Sequence, residues 1–180
     1  MKSTFSEFSY GYAVTEELMK ICKAKSPGAP IFPSLYEEGK SGGYDVKIPT
    51  KGKPIFLQFK LTDCLTTRNA LEYKNGLLSL NYYRMYLRPL KYSNQHNLLL
   101  NLERRGRAVY YIAPEFHLVS ELHKHYNKQE IIDHSAFFAP SDIGPLPDIH
   151  EHYIVFKRNP STLAYRCSKL RKSLFIQSLN

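Results

Sequence analysis

The 180 residues include no tryptophan and only three cysteines. The longest purely aliphatic run is Leu98-Leu99-Leu100, far short of the ~20 apolar residues that span a bilayer. No membrane partner is therefore expected. The first residues, Met1-Lys2-Ser3-Thr4-Phe5-Ser6-Glu7, lack the apolar stretch of a secretory signal. Cys22, Cys64 and Cys167 are scattered and form no CxxC pair. They argue against a disulfide scaffold and a structural zinc site, and they fit a reducing, cytoplasmic setting. Gly39, Gly42 and Gly43 match neither P-loop nor dinucleotide-binding spacing, and no serine or cysteine stands in a nucleophile elbow. With no repeat, low-complexity tract or long polar linker, residues 1–180 read as a single domain.

What is present is globular in character. Apolar residues make up 43 %, with 14 Tyr and 10 Phe, which argues for a packed core. The net charge is +9, and it is unevenly spread. Residues 1–80 carry +3, 81–107 carry +5, 108–156 carry −5, and 157–180 carry +6. Two basic segments separated by an acidic one suggest a charged face toward a polyanion such as nucleic acid.

Hydropathy periodicity predicts a helix over 5–25, with Tyr10, Val14, Leu18 and Ile21 on one side, ended by Ser26-Pro27-Gly28-Ala29-Pro30. A short strand at 31–36 and a turn at 38–43 precede two strands, Tyr44–Ile48 and Ile55–Leu61. The stretch after Leu61 reads as mostly helical, with a segment near 66–75, a Tyr-rich run at 80–88 and a stronger helix from Ser93 to Arg104. Ala108–Ala113 reads as a strand and 115–126 as a helix. Phe137-Phe138, Tyr153–Phe156 and Ala164–Cys167 read as strands, with a proline-rich loop at 140–147. The order predicts an α/β or α+β domain with a mixed central sheet.

The strand Ile55–Leu61 is the most informative segment. Ile55, Leu57, Phe59 and Leu61 share one apolar face, while Phe56, Gln58, Lys60 and Thr62 share the other. Gln58 and Lys60 therefore project side by side. The preceding strand carries Asp45, a residue type depleted in strands. A two-residue turn at Lys51-Gly52 pairs Pro49 with Pro54 and Asp45 with Gln58. In that register each proline's missing N–H faces away from the ladder, and Asp45, Gln58 and Lys60 converge on one face. A carboxylate, an amide and an ammonium so placed suit metal-assisted phosphodiester hydrolysis, with a hard divalent cation held by oxygen ligands. Mg²⁺ asks for a second carboxylate. Glu17 lies about 60° from Val14 around the first helix, on the edge of the apolar face, so it is placed to look toward the sheet.

This helix acid, the Gly43-Tyr44-Asp45-Val46 strand and the Leu57-Gln58-Phe59-Lys60 strand resemble the restriction-endonuclease-like superfamily, the PD-(D/E)xK phosphodiesterases. The resemblance implies a mixed sheet flanked by helices, Mg²⁺ or Mn²⁺ as cofactor, and DNA, less often RNA, as substrate. It implies Asp45 and Glu17 as metal ligands, Gln58 as a weak ligand or water-positioning group, and Lys60 as the residue that activates water. Two departures stand out. Tyr44 replaces the proline, and Gln58 replaces the acid, as in the Q-x-K branches. Some branches also place a glutamine on a later helix near the site, and Gln95 and His96 stand in that region.

The function expected is a metal-dependent nuclease acting on DNA. The alternative is a catalytically inactive module of the same fold that binds nucleic acid or a partner protein. A homodimer is compatible with either. Arg84, Arg88, Arg104, Arg105, Arg107, Lys157, Arg158, Arg166, Lys169, Arg171 and Lys172 are the phosphate-contact candidates. The pairs His123/His125 and His150/His152 have neither a companion cysteine nor HExxH spacing, so no zinc site is expected from them.

Overall fold

A computed structural model describes residues 1–22, 28–34, 42–157, 163–167 and 172–174. Its helices are α1 (Glu7–Cys22), α2 (Leu71–Lys74), α3 (Gln95–Arg104), α4 (Val119–Lys128) and α5 (Pro140–Ile143). Its strands are β1 (Val46–Ile48), β2 (Ile55–Phe59), β3 (Thr62–Leu65), β4 (Tyr82–Leu87), β5 (Ala108–Pro114), β6 (Ser135–Phe138), β7 (His152–Lys157), β8 (Leu163–Cys167) and β9 (Lys172–Leu174). They form two sheets, in the orders β1-β2-β5-β6 and β3-β4-β7-β8-β9. Among the described strands only β2 and β5 pair in parallel; the other pairs are antiparallel.

Helix α1 starts where the Ser6 hydroxyl accepts the Ser9 N–H at 3.0 Å, satisfying one of the helix's orphan donors. Its buried stripe, Tyr10, Ala13, Val14 and Leu18, packs on Val46, Ile48, Leu57 and Phe59 of the first sheet. The approach is close because position 11 is glycine. A β-carbon there would meet the Phe59 ring at 2.6 Å. Helix α4 contributes Leu122 to the same layer. The opposite face of the sheet, with Phe56, Val109, Tyr111 and Phe138, packs against Leu99 of α3, Ile143 of α5 and the inner face of the second sheet. Thus β2 is covered on both sides, and Gln58 and Lys60 are buried rather than half-solvated.

The hairpin register matches the sequence expectation. Val46 faces Leu57, Lys47 faces Phe56 and Ile48 faces Ile55, and the Thr50 hydroxyl donates to the Lys53 carbonyl across the turn at 2.8 Å. Ile31 extends this edge through two backbone bonds with Lys47. At Asp45 the ladder departs from regular pairing. The Asp45 N–H donates to Leu57 O at 2.8 Å, so Asp45 and Val46 both face Leu57, as at a bulge.

The second half differs from expectation. The described strands form two sheets, the first of them mixed, where one mixed central sheet was expected. Residues 82–87, within the stretch expected to be mostly helical, are strand β4, and residues 62–65, just before the segment expected near 66–75, are strand β3. Tyrosines favour a pleated surface with aromatic cross-strand neighbours, and here Tyr83 meets Phe156 at 6.1 Å and Tyr86 meets Tyr153 at 5.9 Å. The proline-rich loop opens with α5, whose first residue is Pro140, where a missing N–H costs nothing. The end of the expected first helix at 23–25, the first two residues of its stop at 26–30, most of the turn at 38–43, and residues 35–36 of the expected first strand lie outside the described residues. Among the described residues no helix is long and apolar enough to cross a membrane.

Candidate active site

Four side chains form one directed hydrogen-bond chain. Lys60 Nζ donates to Gln95 Oε1 at 3.1 Å, Gln95 Nε2 donates to Gln58 Oε1 at 3.0 Å, and Gln58 Nε2 donates to Asp45 Oδ2 at 2.7 Å. Its polarity follows from its ends. An ammonium only donates and a carboxylate only accepts. Each glutamine between them must therefore present its oxygen toward Lys60 and its NH₂ toward Asp45. Gln58, Lys60 and Gln95 are all buried, and a buried ammonium or amide without partners is costly.

Local structure explains the convergence. The bulge turns the Asp45 carboxylate inward, where Oδ2 also accepts the Phe59 N–H at 2.7 Å. Lys60 follows β2 directly and continues its pairing, its N–H bonding Ile112 O at 3.0 Å. Gln95 is the first residue of α3, and its N–H bonds the Ser93 hydroxyl at 3.2 Å. Gly43 allows α3 to come close. Its φ is +64°, and a β-carbon on it would meet Gln95 O at 2.9 Å.

Asp45 opens onto a cavity of about 310 Å³ lined by Glu7, Phe8, Gly11, Tyr12, Phe32, Pro33, Asp45 and Phe59. Burial pushes the Asp45 carboxyl up to about 6, and the nearby charge of Glu7 adds to this. The Phe59 N–H, the Lys60 charge and the Gln58 amide act in the opposite direction.

The expected helix acid does not stand here. Glu17 is buried and accepts the N–H groups of Ile131 at 2.8 Å and Ile132 at 3.4 Å. It satisfies the backbone donors of that turn instead of facing the hairpin. Burial raises its carboxyl above the usual range. The acid beside Asp45 is Glu7, one helical stretch earlier. A signal for it exists in the sequence. Glu7 lies about 20° from Val14 on the same helical projection, inside the apolar arc. Gln58 likewise meets Asp45 as a hydrogen-bond donor, with its oxygen turned to Gln95, and not as a second oxygen ligand.

His96 joins the core instead of the site, bonding Tyr111 OH at 3.0 Å and Gly144 O at 2.8 Å. Burial lowers its pKa. Several basic candidates are also committed within the fold. Arg84 binds Glu72 at 3.0 Å and lies over the Tyr153 ring, Arg166 donates to the carbonyls of Ile143 and Pro145, and Lys157 donates to Ser79 and Leu80. Arg88, Arg104, Arg105 and Arg107 are exposed. Arg158, Lys169 and Arg171 lie outside the described residues, as does the side chain of Lys172.

Compared with protein-family models, curated proteins and solved structures, the chain gives no match.

Proposed function

We propose that this protein is a metal-dependent nuclease of the PD-(D/E)xK type in its Q-x-K form, hydrolysing phosphodiester bonds in DNA. The observation that carries the reading is the directed chain Asp45–Gln58–Gln95–Lys60. It links an acid on one strand to a lysine on the next through a glutamine from a later helix. The order of elements supports it too, with α1, the antiparallel β1–β2 hairpin, then α3 and a strand β5 parallel to β2.

The donor set suits a hard cation. Asp45 and Glu7 line one cavity, and the Gln58 amide and the Phe59 N–H both donate to Oδ2 of Asp45, whose charge is costly in its buried setting. Asp45 and Glu7 would hold Mg²⁺ or Mn²⁺, which supplies charge neutralisation and acidifies bound water. Gln58 fixes the Asp45 carboxylate, and Gln95 fixes the Lys60 ammonium. Lys60 then orients the attacking water and offsets charge on the scissile phosphate. Phe8, Tyr12 and Phe32 line the cavity and are exposed. They offer faces on which unpaired bases stack, while Arg104, Arg105 and Arg107 are available to phosphates.

The alternative, an inactive module that binds nucleic acid or a partner, is favoured by one feature. Gln58 brings no charge to the site, so metal retention falls on Asp45 and Glu7. Incubation with plasmid and single-stranded DNA in Mg²⁺ or Mn²⁺, beside Lys60→Ala and Asp45→Ala, separates the two. Cleavage lost in both variants supports the nuclease. DNA binding without cleavage under either metal supports the module.

A further inference from the structure

A second ligand cluster lies away from this cavity, where α4 turns toward β6. One ligand atom each from His125, Glu130 and His134 lies within 4.8 Å of the others. His125 Nδ1 stands 3.9 Å from Glu130 Oε2, His134 Nε2 stands 4.0 Å from the same oxygen, and the two rings lie 3.8 Å apart. His125 is 7 % exposed, and its Nδ1 is buried without a hydrogen-bond partner.

The backbone builds this cluster from local rules. Helix α4 ends with Gln129 in the left-handed region at φ +58°, Gln129 N–H bonding Tyr126 O and Glu130 N–H bonding His125 O. That pair of bonds is a Schellman motif, and it folds Glu130 back beside the turn that carries His125. His134 N–H then bonds Glu130 O at 3.2 Å, one further helical turn, which brings His134 beside Glu130. Glu17 holds the same loop to α1 through Ile131 and Ile132.

We propose that His125, Glu130 and His134 bind a zinc-class transition metal ion that clamps the end of α4 to the loop entering β6. Two imidazoles and one carboxylate are a donor set for zinc and its neighbours, whereas Mg²⁺ prefers oxygen alone. Tetrahedral zinc with bonds of about 2.0–2.2 Å sets its ligand atoms about 3.3 Å apart. The two separations to Glu130 Oε2 therefore close by about 0.6–0.7 Å on binding, and that between the two imidazole nitrogens, within 4.8 Å, by up to about 1.5 Å. The buried Nδ1 of His125 gains the partner it lacks. Lys128, whose Nζ lies 4.0 Å from Glu130 Oε2, is half-exposed and swings to solvent when the cation arrives. Glu130 and His134 are only partly buried, so water fills the fourth position. The spacing H-x4-E-x3-H was readable in the sequence. It was hidden because His125 invites pairing with His123, which is exposed.

The test uses the full chain stripped of metal. Zn²⁺ is titrated in competition with a chromophoric chelator, and Co²⁺ is added separately to read ligand-field absorption. The expected result is one equivalent of zinc, intense Co²⁺ bands of a four-coordinate site, and a zinc-dependent rise in Tm. Glu130→Gln and His134→Ala, at partly exposed positions that spare the core, should each weaken zinc binding about 100-fold. Asp45→Asn should bind zinc like the natural chain, which separates this site from the proposed Mg²⁺ site. The proposal is overturned if zinc fails to compete with the chelator, or if Glu130→Gln and His134→Ala retain the full stoichiometry and affinity.

Discussion

Asp45 and Gln58 stand thirteen residues apart in the sequence, and the Gln58 amide meets the Asp45 carboxylate at 2.7 Å. A carboxylate donated to by an amide is held in place but not neutralised. Its charge stays available to a cation, while burial makes that charge costly without one. In the proposed nuclease, function and stability therefore oppose each other at Asp45.

Asp45→Asn tests that opposition. The Asp45 carboxyl is raised from 3.8 to about 6 in the folded state. The folded chain thus binds the proton more tightly than the unfolded chain. The stability this group contributes is full below pH 3.8 and is lost as pH rises through about 6, by roughly 3 kcal/mol in total. Asparagine carries no charge to desolvate. Asp45→Asn should therefore raise stability at pH 7 by about 1–3 kcal/mol, flatten the pH dependence of Tm through this window, and abolish cleavage. A lower Tm at pH 7 in thermal melts contradicts this account.

Gln58→Glu places an acid where the proposed Q-x-K reading lacks one. Without metal, two carboxylates would then meet at hydrogen-bond distance and repel, and the Gln95 NH₂ would keep an acceptor. The variant should lose about 1–3 kcal/mol in chelator. It should also gain more Tm from added Mg²⁺ than the natural chain does. Equal Mg²⁺-dependent shifts in the two proteins would place the cation elsewhere.

Gly43→Ala and Gly76→Ala form a matched pair. Both glycines have positive φ, +64° and +65°, but a β-carbon at 43 would strike Gln95 O at 2.9 Å while one at 76 meets nothing within 4 Å. Each should lose about 1 kcal/mol from backbone strain. Only Gly43→Ala should also displace Gln95 and reduce cleavage. Chemical denaturation and a cleavage rate for each variant separate strain from site damage; equal activity in both would mean that the approach of α3 does not position Gln95.

Much of the first sixty residues was legible because its signals constrain one another. Pro49 and Pro54 sit symmetrically about Lys51-Gly52, and the same register that frees their missing N–H groups runs up to Val46 and Leu57, where the bulge turns Asp45 to Gln58. The helix acid was not, because a helical projection gives a direction but not a partner. Glu17 points inward yet finds the Ile131–Ile132 turn, while Glu7 at the helix start finds Asp45. Gln95 was ambiguous for a related reason. A polar residue at a helix N-terminus is ordinary, and only the fold brings it between Gln58 and Lys60. The second sheet was hidden by composition. Tyrosine-rich 82–87 carries no clean two-residue alternation, because both faces of β4 are occupied, by the core on one side and by Glu72 and Tyr153 on the other.

Gln129→Gly addresses the loop that follows α4. Gln129 holds φ +58°, a region that costs a residue with a β-carbon about 1–2 kcal/mol. Its exposed side-chain bond to Tyr126 O offsets little of that. Glycine should raise stability by about 0.5–1 kcal/mol in thermal or chemical denaturation; a loss would show that the side chain holds the turn.

The most direct test is the single-turnover rate of DNA cleavage in saturating Mn²⁺ by the natural chain and by Lys60→Ala, with DNA binding shown to be equal. Lys60 ends the chain that starts at Asp45, and removing its ammonium should slow the chemical step by about 100-fold or more while leaving affinity for DNA unchanged. Equal rates in the two proteins, or no metal-dependent cleavage by the natural chain, would contradict the assignment.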